Sequence, residues 1–190
     1  MKICLSFFLL SIVLVGFSQA HSPTKDSNLS YNWFVSLNGG VQMSGIKDED
    51  FIPQNIAPAF SLATGLWFTS EIALNFGYKG FYFNTIADKD KHHYNYYFGE
   101  VLLNVNNLIK GLQNRKNTWS VLFHPGAGLF YNVYYHRPNI CAHIGVINQY
   151  EISKKISVFA DISFIMGWDI YQGNDDILPS CVFGLNYSFK

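Results

Sequence analysis

Five histidines in the body of the chain are the side chains best suited to acid–base chemistry: His92, His93, His124, His136 and His143. A hydrolytic site needs a nucleophile, a base and an orienting acid that converge in space, and no motif around these histidines indicates such a set. His92 and His93 are adjacent on an extended segment, so they point to opposite sides and make a poor metal-ligand pair. No phosphate-binding glycine loop is present. The sequence therefore predicts no catalytic residues, no cofactor and no metal.

Three charged residues, Lys79, Glu100 and Asp161, each interrupt a long uncharged stretch. Buried charges are usually paired to satisfy one another, and such pairs are structural more often than catalytic. We therefore expect these three residues to form a structural ionic cluster, in which Lys79 and Glu100 pair across neighbouring strands. Whether these three side chains point into the protein interior depends on the secondary-structure elements that contain them.

Hydrophobic periodicity over most of the chain is two residues, which indicates β-strands with one apolar and one more polar face. In the strand near Asp161, Val158, Ala160, Ile162 and Phe164 alternate with smaller or polar residues. Eight strands are predicted, at about 33–42, 59–68, 72–82, 94–105, 119–131, 142–152, 156–170 and 180–189. Pro125 lies inside the fifth strand and predicts an edge or a bulge there, because proline cannot donate to a ladder.

The connections between the predicted strands alternate between short and long. Those at Thr69 and Ser153 are tight and the one at Asn106 is longer, whereas polar loops around Asp48, Lys89, His136 and Asp175 lie at the opposite end. An even strand number with short turns on one side is typical of outer-membrane barrels. The predicted fold is all-β, an eight-stranded antiparallel transmembrane up-and-down β-barrel.

The distribution of charge indicates which face meets lipid. Only 14% of residues are charged and 17% are aromatic, whereas soluble domains are about 25% charged. Lys79, Glu100 and Asp161 all fall on the face rich in glycine, serine and asparagine. We expect them in the lumen, which an eight-stranded barrel fills with its own side chains. Aromatic residues near the predicted strand ends suit interfacial girdles: Trp33, Trp119, Trp168, Tyr131, Tyr134 and Tyr135.

The N-terminus reads as an export signal. Lys2 precedes an apolar stretch, and the small residues that end at Ala20 resemble a cleavage site. We predict a signal peptide at 1–20, a flexible segment at 21–32 and the barrel at 33–190. Cys141 and Cys181 remain after cleavage, with opposite side-chain parity; a disulfide is possible in an oxidising compartment, but unpaired thiols are favoured.

The segment that begins at Glu100 resembles the β-barrel proteins of Bacteroidota outer membranes, relatives of the OmpA-type and porin-like families. The matching positions are an N-V-x-N-L phrase, a tryptophan and a proline–glycine strand, represented by Asn104, Asn107, Leu108, Trp119, Pro125, Gly126 and Gly128. The ending "FGLNYSFK" resembles the last strand read by barrel-assembly machinery, with Phe189 as its terminal aromatic residue. The resemblance implies residence in the cell outer membrane and assigns no substrate.

The leading functional hypothesis is a non-enzymatic outer-membrane barrel with a structural or surface-interaction role. Its expected partners are outer-membrane lipids, lipopolysaccharide and the barrel-assembly machinery, with an unassigned partner for the loops. The near-neutral charge gives no indication of nucleic-acid binding. The alternatives are a lipid A-modifying barrel enzyme and a small porin-like channel.

Overall fold

The computed structural model describes residues 32–44, 56–84, 91–110, 118–168, 170 and 175–189. The predicted export signal, nearly all of the segment at 21–32 and the loops around Asp48 and Lys89 lie outside these residues. The strands are β1 (Asn32–Met43), β2 (Ile56–Trp67), β3 (Ile72–Asn84), β4 (Lys91–Asn104), β5 (Trp119–Phe123), β6 (Gly126–Asn132), β7 (Arg137–Glu151), β8 (Ile156–Trp168) and β9 (Asp175–Phe189). One short helix, α1 (Val105–Lys110), lies between β4 and β5.

All strand pairs are antiparallel, and the sheet closes on itself because β1 pairs with both β2 and β9. The closing register runs from Trp33 opposite Phe189 to Gln42 opposite Ser180. Both β5 and β6 lie between β4 and β7, so they form one strand of the barrel. The result is a closed eight-stranded barrel, which confirms the predicted all-β up-and-down fold.

Pro125 interrupts a ladder without shifting its register, so the expected edge or bulge is not found. Phe123 pairs with Val146, and Gly126 pairs with His143. Three residues are therefore passed on each strand across the interruption, and the register is unchanged. Backbone hydrogen bonds continue on both sides of the interruption, from His124 N to Gly145 O and from Val101 N to Pro125 O. The proline removes one donor, and its neighbours keep the strand in place.

The connection between β4 and β5 contains helix α1. Asn104 Oδ1 accepts a hydrogen bond from the Asn107 backbone nitrogen at 3.2 Å, which is the role of a helix N-cap. Asn107 Nδ2 donates to Ser70 O in the neighbouring turn at 2.8 Å. The asparagines of the N-V-x-N-L phrase therefore tie this connection to the turn at Ser70. Among the described residues, no helix has the length and apolar character needed to cross a membrane.

Alternation of burial along the strands agrees with the predicted faces. Phe81 is the exception: alternation predicts it on the inner face with Lys79, but its φ of 145° turns the backbone and leaves the side chain 53% exposed. Cys141 is buried and Cys181 is half-buried, and no disulfide joins them. Several strands also extend beyond their predicted ends: β2 starts at Ile56 and β9 at Asp175.

Two apolar layers fill the two ends of the barrel interior. Toward the long-loop end lies a cluster that includes Tyr94, Tyr96, Phe98 and Phe130. Toward the short-turn end lies a smaller cluster of Phe34, Ala73 and Leu102, with Trp67 against it. Polar and charged side chains occupy the layer between them.

Candidate functional site

The polar layer of the lumen is built by inward-facing positions on neighbouring strands. Lys79 comes from β3, Glu100 from β4, His124 from the junction of β5 and β6, His143 from β7 and Asp161 from β8. All five are buried. Because alternate residues of a strand face inward, each strand contributes one such group at about the same height. We call these five residues the lumenal cluster.

His124 is the centre of the lumenal cluster. Its Nδ1 lies 2.9 Å from Glu100 Oε2 and its Nε2 lies 3.0 Å from Asp161 Oδ1. Ionised carboxylates only accept hydrogen bonds, so both ring nitrogens must donate, as they do in an imidazolium. In that state His124 joins the carboxylates of Glu100 on β4 and Asp161 on β8, two strands that are not neighbours in the barrel.

The second oxygen of each carboxylate also has a partner. Asn75 Nδ2 donates to Glu100 Oε1 at 2.7 Å, and Ser163 Oγ donates to Asp161 Oδ2 at 3.2 Å. Charge-assisted hydrogen bonds of this kind are stronger than neutral ones. Both carboxylates are therefore held in fixed orientations.

Lys79 does not contact Glu100 directly, so the pairing expected from the sequence is not formed. Its Nζ donates to Ser180 Oγ at 2.6 Å, and Ser180 Oγ lies 3.0 Å from Ser163 Oγ. The ammonium is thus linked to Asp161 through two hydroxyls. With His124 protonated, two cations balance Glu100 and Asp161, and the buried layer is neutral.

Two glycines make room for the lumenal cluster. A Cβ at Gly145 would overlap the His124 ring, and one at Gly126 would lie 2.6 Å from Glu100 Cβ. Atoms in a close-packed interior cannot approach this closely. Gly126 and Gly145 therefore permit the imidazole and the carboxylate to lie side by side.

A cavity of about 40 Å³ lies in the polar layer, lined by the lumenal cluster and by neighbours such as Asn38 and Phe159. This volume accommodates one or a few water molecules. The aromatic layer toward the long loops and the smaller apolar layer toward the short turns lie on either side of the cavity. The described part of the barrel therefore has a filled lumen.

The structure brings Lys79, Glu100 and Asp161 into one layer and adds His124 and His143, whose partners could not be predicted from the sequence. Alternation places His124 on the same face as Gly126 and Gly128. Its neighbours depend on the β4–β5–β7–β8 pairing, however, which a single sequence does not specify. For His143 the sequence does hold a signal: the alternation of residues along β7 places it on the inward face.

The outer surface of the barrel is apolar all around. Exposed large apolar side chains come from every strand of the barrel: Leu37, Leu62, Phe76, Tyr97, Leu129, Ile140, Ile162 and Leu185. Away from strand ends, the described strands carry only three charged residues, Lys79, Glu100 and Asp161, and all are buried. This is the reverse of a soluble barrel.

Exposed aromatic residues also lie at the strand ends. Trp33 and Trp119 are exposed at the short-turn end, and Tyr134 and Tyr135 at the long-loop end. Amphipathic rings at these two levels suit the boundaries between an apolar layer and water.

Neither a protein-family model nor a curated protein sequence matches this chain. Its fold is similar to solved barrels. The N-terminal β-barrel domain of Pseudomonas aeruginosa OprF is 11% identical, with 83% of this chain and 97% of that chain covered and a TM-score of 0.55. Neisserial surface protein A is 8% identical, with 83% and 97% covered and a TM-score of 0.56.

A major outer membrane protein from Thermus thermophilus is 10% identical to the chain, with 83% of this chain and 99% of that chain covered and a TM-score of 0.50. At these identities the likeness concerns the fold alone. This chain therefore shares the closed eight-stranded barrel architecture of these proteins.

Proposed function

We propose that this protein is an outer-membrane β-barrel that reinforces the envelope and presents its long loops at the cell surface, without an enzymatic reaction. The observation that carries the proposal is the orientation of the barrel wall, with apolar side chains outward and Lys79, Glu100 and Asp161 inward. A lysine on the lipid face at the bilayer midplane costs about 2–4 kcal/mol, so a bilayer favours this arrangement.

The expected partners follow from the same surface. The apolar wall and its aromatic ends suit outer-membrane lipids and lipopolysaccharide. On β9, Phe183, Leu185, Tyr187 and Phe189 form an exposed outward row that suits recognition by barrel-assembly machinery. The resemblance to Bacteroidota barrels belongs to this proposal and rests on sequence positions such as Asn104 and Asn107, which here cap helix α1 and bind the turn at Ser70.

The absence of an enzymatic reaction is part of the proposal. Within the described residues, the group of acidic and histidine side chains close enough to act together lies in the lumen, between two apolar layers. A lipid A-modifying site would have to face the lipid or the outer rim. Mass spectrometry of lipid A should show the same acyl pattern with and without the protein, and an altered pattern would overturn this part.

Topology is tested by labelling single cysteines in intact cells. In a background with Cys141→Ala and Cys181→Ala, His136→Cys probes a long-loop-side turn and Ser153→Cys probes a short turn. A membrane-impermeant maleimide should label position 136 in intact cells and position 153 only after permeabilisation. Heat-modifiable migration on gels shows that each variant is a folded barrel.

The reverse labelling pattern would contradict the proposed orientation. Recovery of the protein as a soluble species without detergent would contradict membrane residence.

A further inference from the structure

One buried side chain in the lumen is not explained by the ionic network. His143 is 5% exposed, and neither of its ring nitrogens has a hydrogen-bond partner among the described residues. Its Nδ1 lies 3.3 Å from Glu100 Oε2, in an orientation that makes no hydrogen bond. A buried polar group without a partner costs about 1–3 kcal/mol. The two cations and two carboxylates already balance without His143, so charge balance gives its ring nitrogens no role.

The unpartnered ring lies beside two other potential metal ligands. One ligand atom each from Glu100, His124 and His143 lie within 4.8 Å of one another, and all three residues are buried. The ring of His143 is held in place by edge contacts with the rings of Phe98 and His124, with centroids 5.5 Å and 5.1 Å apart. Three potential ligands from three strands of the barrel thus lie close together.

We propose that Glu100, His124 and His143 bind a single divalent late-transition-metal ion inside the barrel, with Zn²⁺ as the reference ion. Two imidazoles and one carboxylate are a ligand set suited to Zn²⁺, with the fourth position left for water. Bonds of about 2.0–2.1 Å in a tetrahedron place ligand atoms about 3.3 Å apart. Glu100 Oε2 lies 2.9 Å from His124 Nδ1 and 3.3 Å from His143 Nδ1.

The groups behind two of these ligands, His124 and Glu100, are also arranged for a metal. Metal-binding histidines usually donate their other ring N–H to a carboxylate, which fixes the ring. His124 Nε2 lies 3.0 Å from Asp161 Oδ1, so its Nδ1 is the atom left for the ion. Asn75 holds Glu100 Oε1, which leaves Oε2 toward the site. The ion replaces the proton on His124 Nδ1, which leaves to solvent, while the Nε2 proton continues to be donated to Asp161.

Lys79 limits the affinity of this site. With Zn²⁺ bound and both histidines neutral, the ion and Lys79 together carry three positive charges against the two carboxylates, so the layer has a net charge of +1. Lys79 lines the same cavity as the three ligands. Replacing the ammonium with an uncharged chain of similar length, Lys79→Met, should therefore raise the affinity for Zn²⁺.

The test uses the full barrel refolded in detergent with Zn²⁺ and dialysed before the bound metal is measured. Wild type should retain about one ion per chain. His143→Gln should weaken binding at least tenfold, and Asp161→Asn should weaken it about 10- to 100-fold. His136→Gln is the matched control, because His136 lies in an exposed turn and its loss should leave binding unchanged.

Equal retention by wild type and His143→Gln would overturn the proposal, and so would a loss of binding in His136→Gln. Heat-modifiable migration checks that each variant folds. X-ray absorption of the wild-type Zn²⁺ complex needs no variant: two imidazole nitrogens are expected, and fewer than two would overturn the site. These measurements do not depend on where the barrel resides, so they fail or succeed separately from the proposed function.

Discussion

A lysine at position 162 tests whether the outer wall meets lipid. Ile162 is the middle residue of β8, is 56% exposed and lies between Val146 and Cys181 on the neighbouring strands. Ile162→Lys therefore places an ammonium near the centre of the apolar band. The expected loss is about 2–4 kcal/mol of folding free energy. This corresponds to a decrease of about 30- to 700-fold in the ratio of folded to unfolded protein.

The matched control is Ile152→Lys. Ile152 is 62% exposed but lies in the turn between β7 and β8. Near an interface, the same substitution costs about 0–1 kcal/mol. The two variants therefore differ in depth and not in chemistry or exposure.

The assay is reversible urea unfolding of the barrel in phospholipid vesicles, followed by tryptophan fluorescence and by heat-modifiable migration. Ile162→Lys should lose at least about 1 kcal/mol more folding free energy than Ile152→Lys. Equal losses for the two variants, or a gain of stability for Ile162→Lys, would show that β8 does not present this face to hydrocarbon.

Two further predictions concern the interior. Gly145→Ala forces a Cβ into the His124 ring, so it should lower the free energy of unfolding by about 1–3 kcal/mol in the same assay. At Gly39 an added Cβ would meet only Ala59 O, at 3.8 Å, so Gly39→Ala should cost less than half as much. Equal costs for the two variants would contradict the tight packing around His124. Because the described lumen holds a cavity of only about 40 Å³, the refolded barrel should give no steady conductance in planar bilayers, and reproducible unitary steps would contradict a filled lumen.

The sequence predicts the faces of the strands well, because a period of two assigns every second residue to the same side. The placement of Glu100 and Asp161 inside follows from this rule. Phe81 departs from it because its positive φ turns that one side chain outward, and no residue type at that position signals the change. Helix α1 has six residues, too few for a periodicity of 3.6 to be distinguished from a loop.

The association of Glu100, His124 and His143 was not predictable in the same way. The three residues lie 24 and 19 positions apart, on strands whose register is decided by the closed sheet. Metal-ligand motifs that a sequence reveals are short and lie on one or two elements. Ligands collected from three adjacent strands leave no such spacing.

The seam between β1 and β9 has a consequence for the order of assembly. β1 can pair with β9 only after β9 has been synthesised, about 150 residues later in the chain. Until then β1 and β9 each carry a row of unsatisfied backbone donors and acceptors, which are a template for joining another molecule. The nascent barrel therefore has to be shielded along this seam. A chain that lacks β9 keeps an unpaired strand edge that can pair with other molecules.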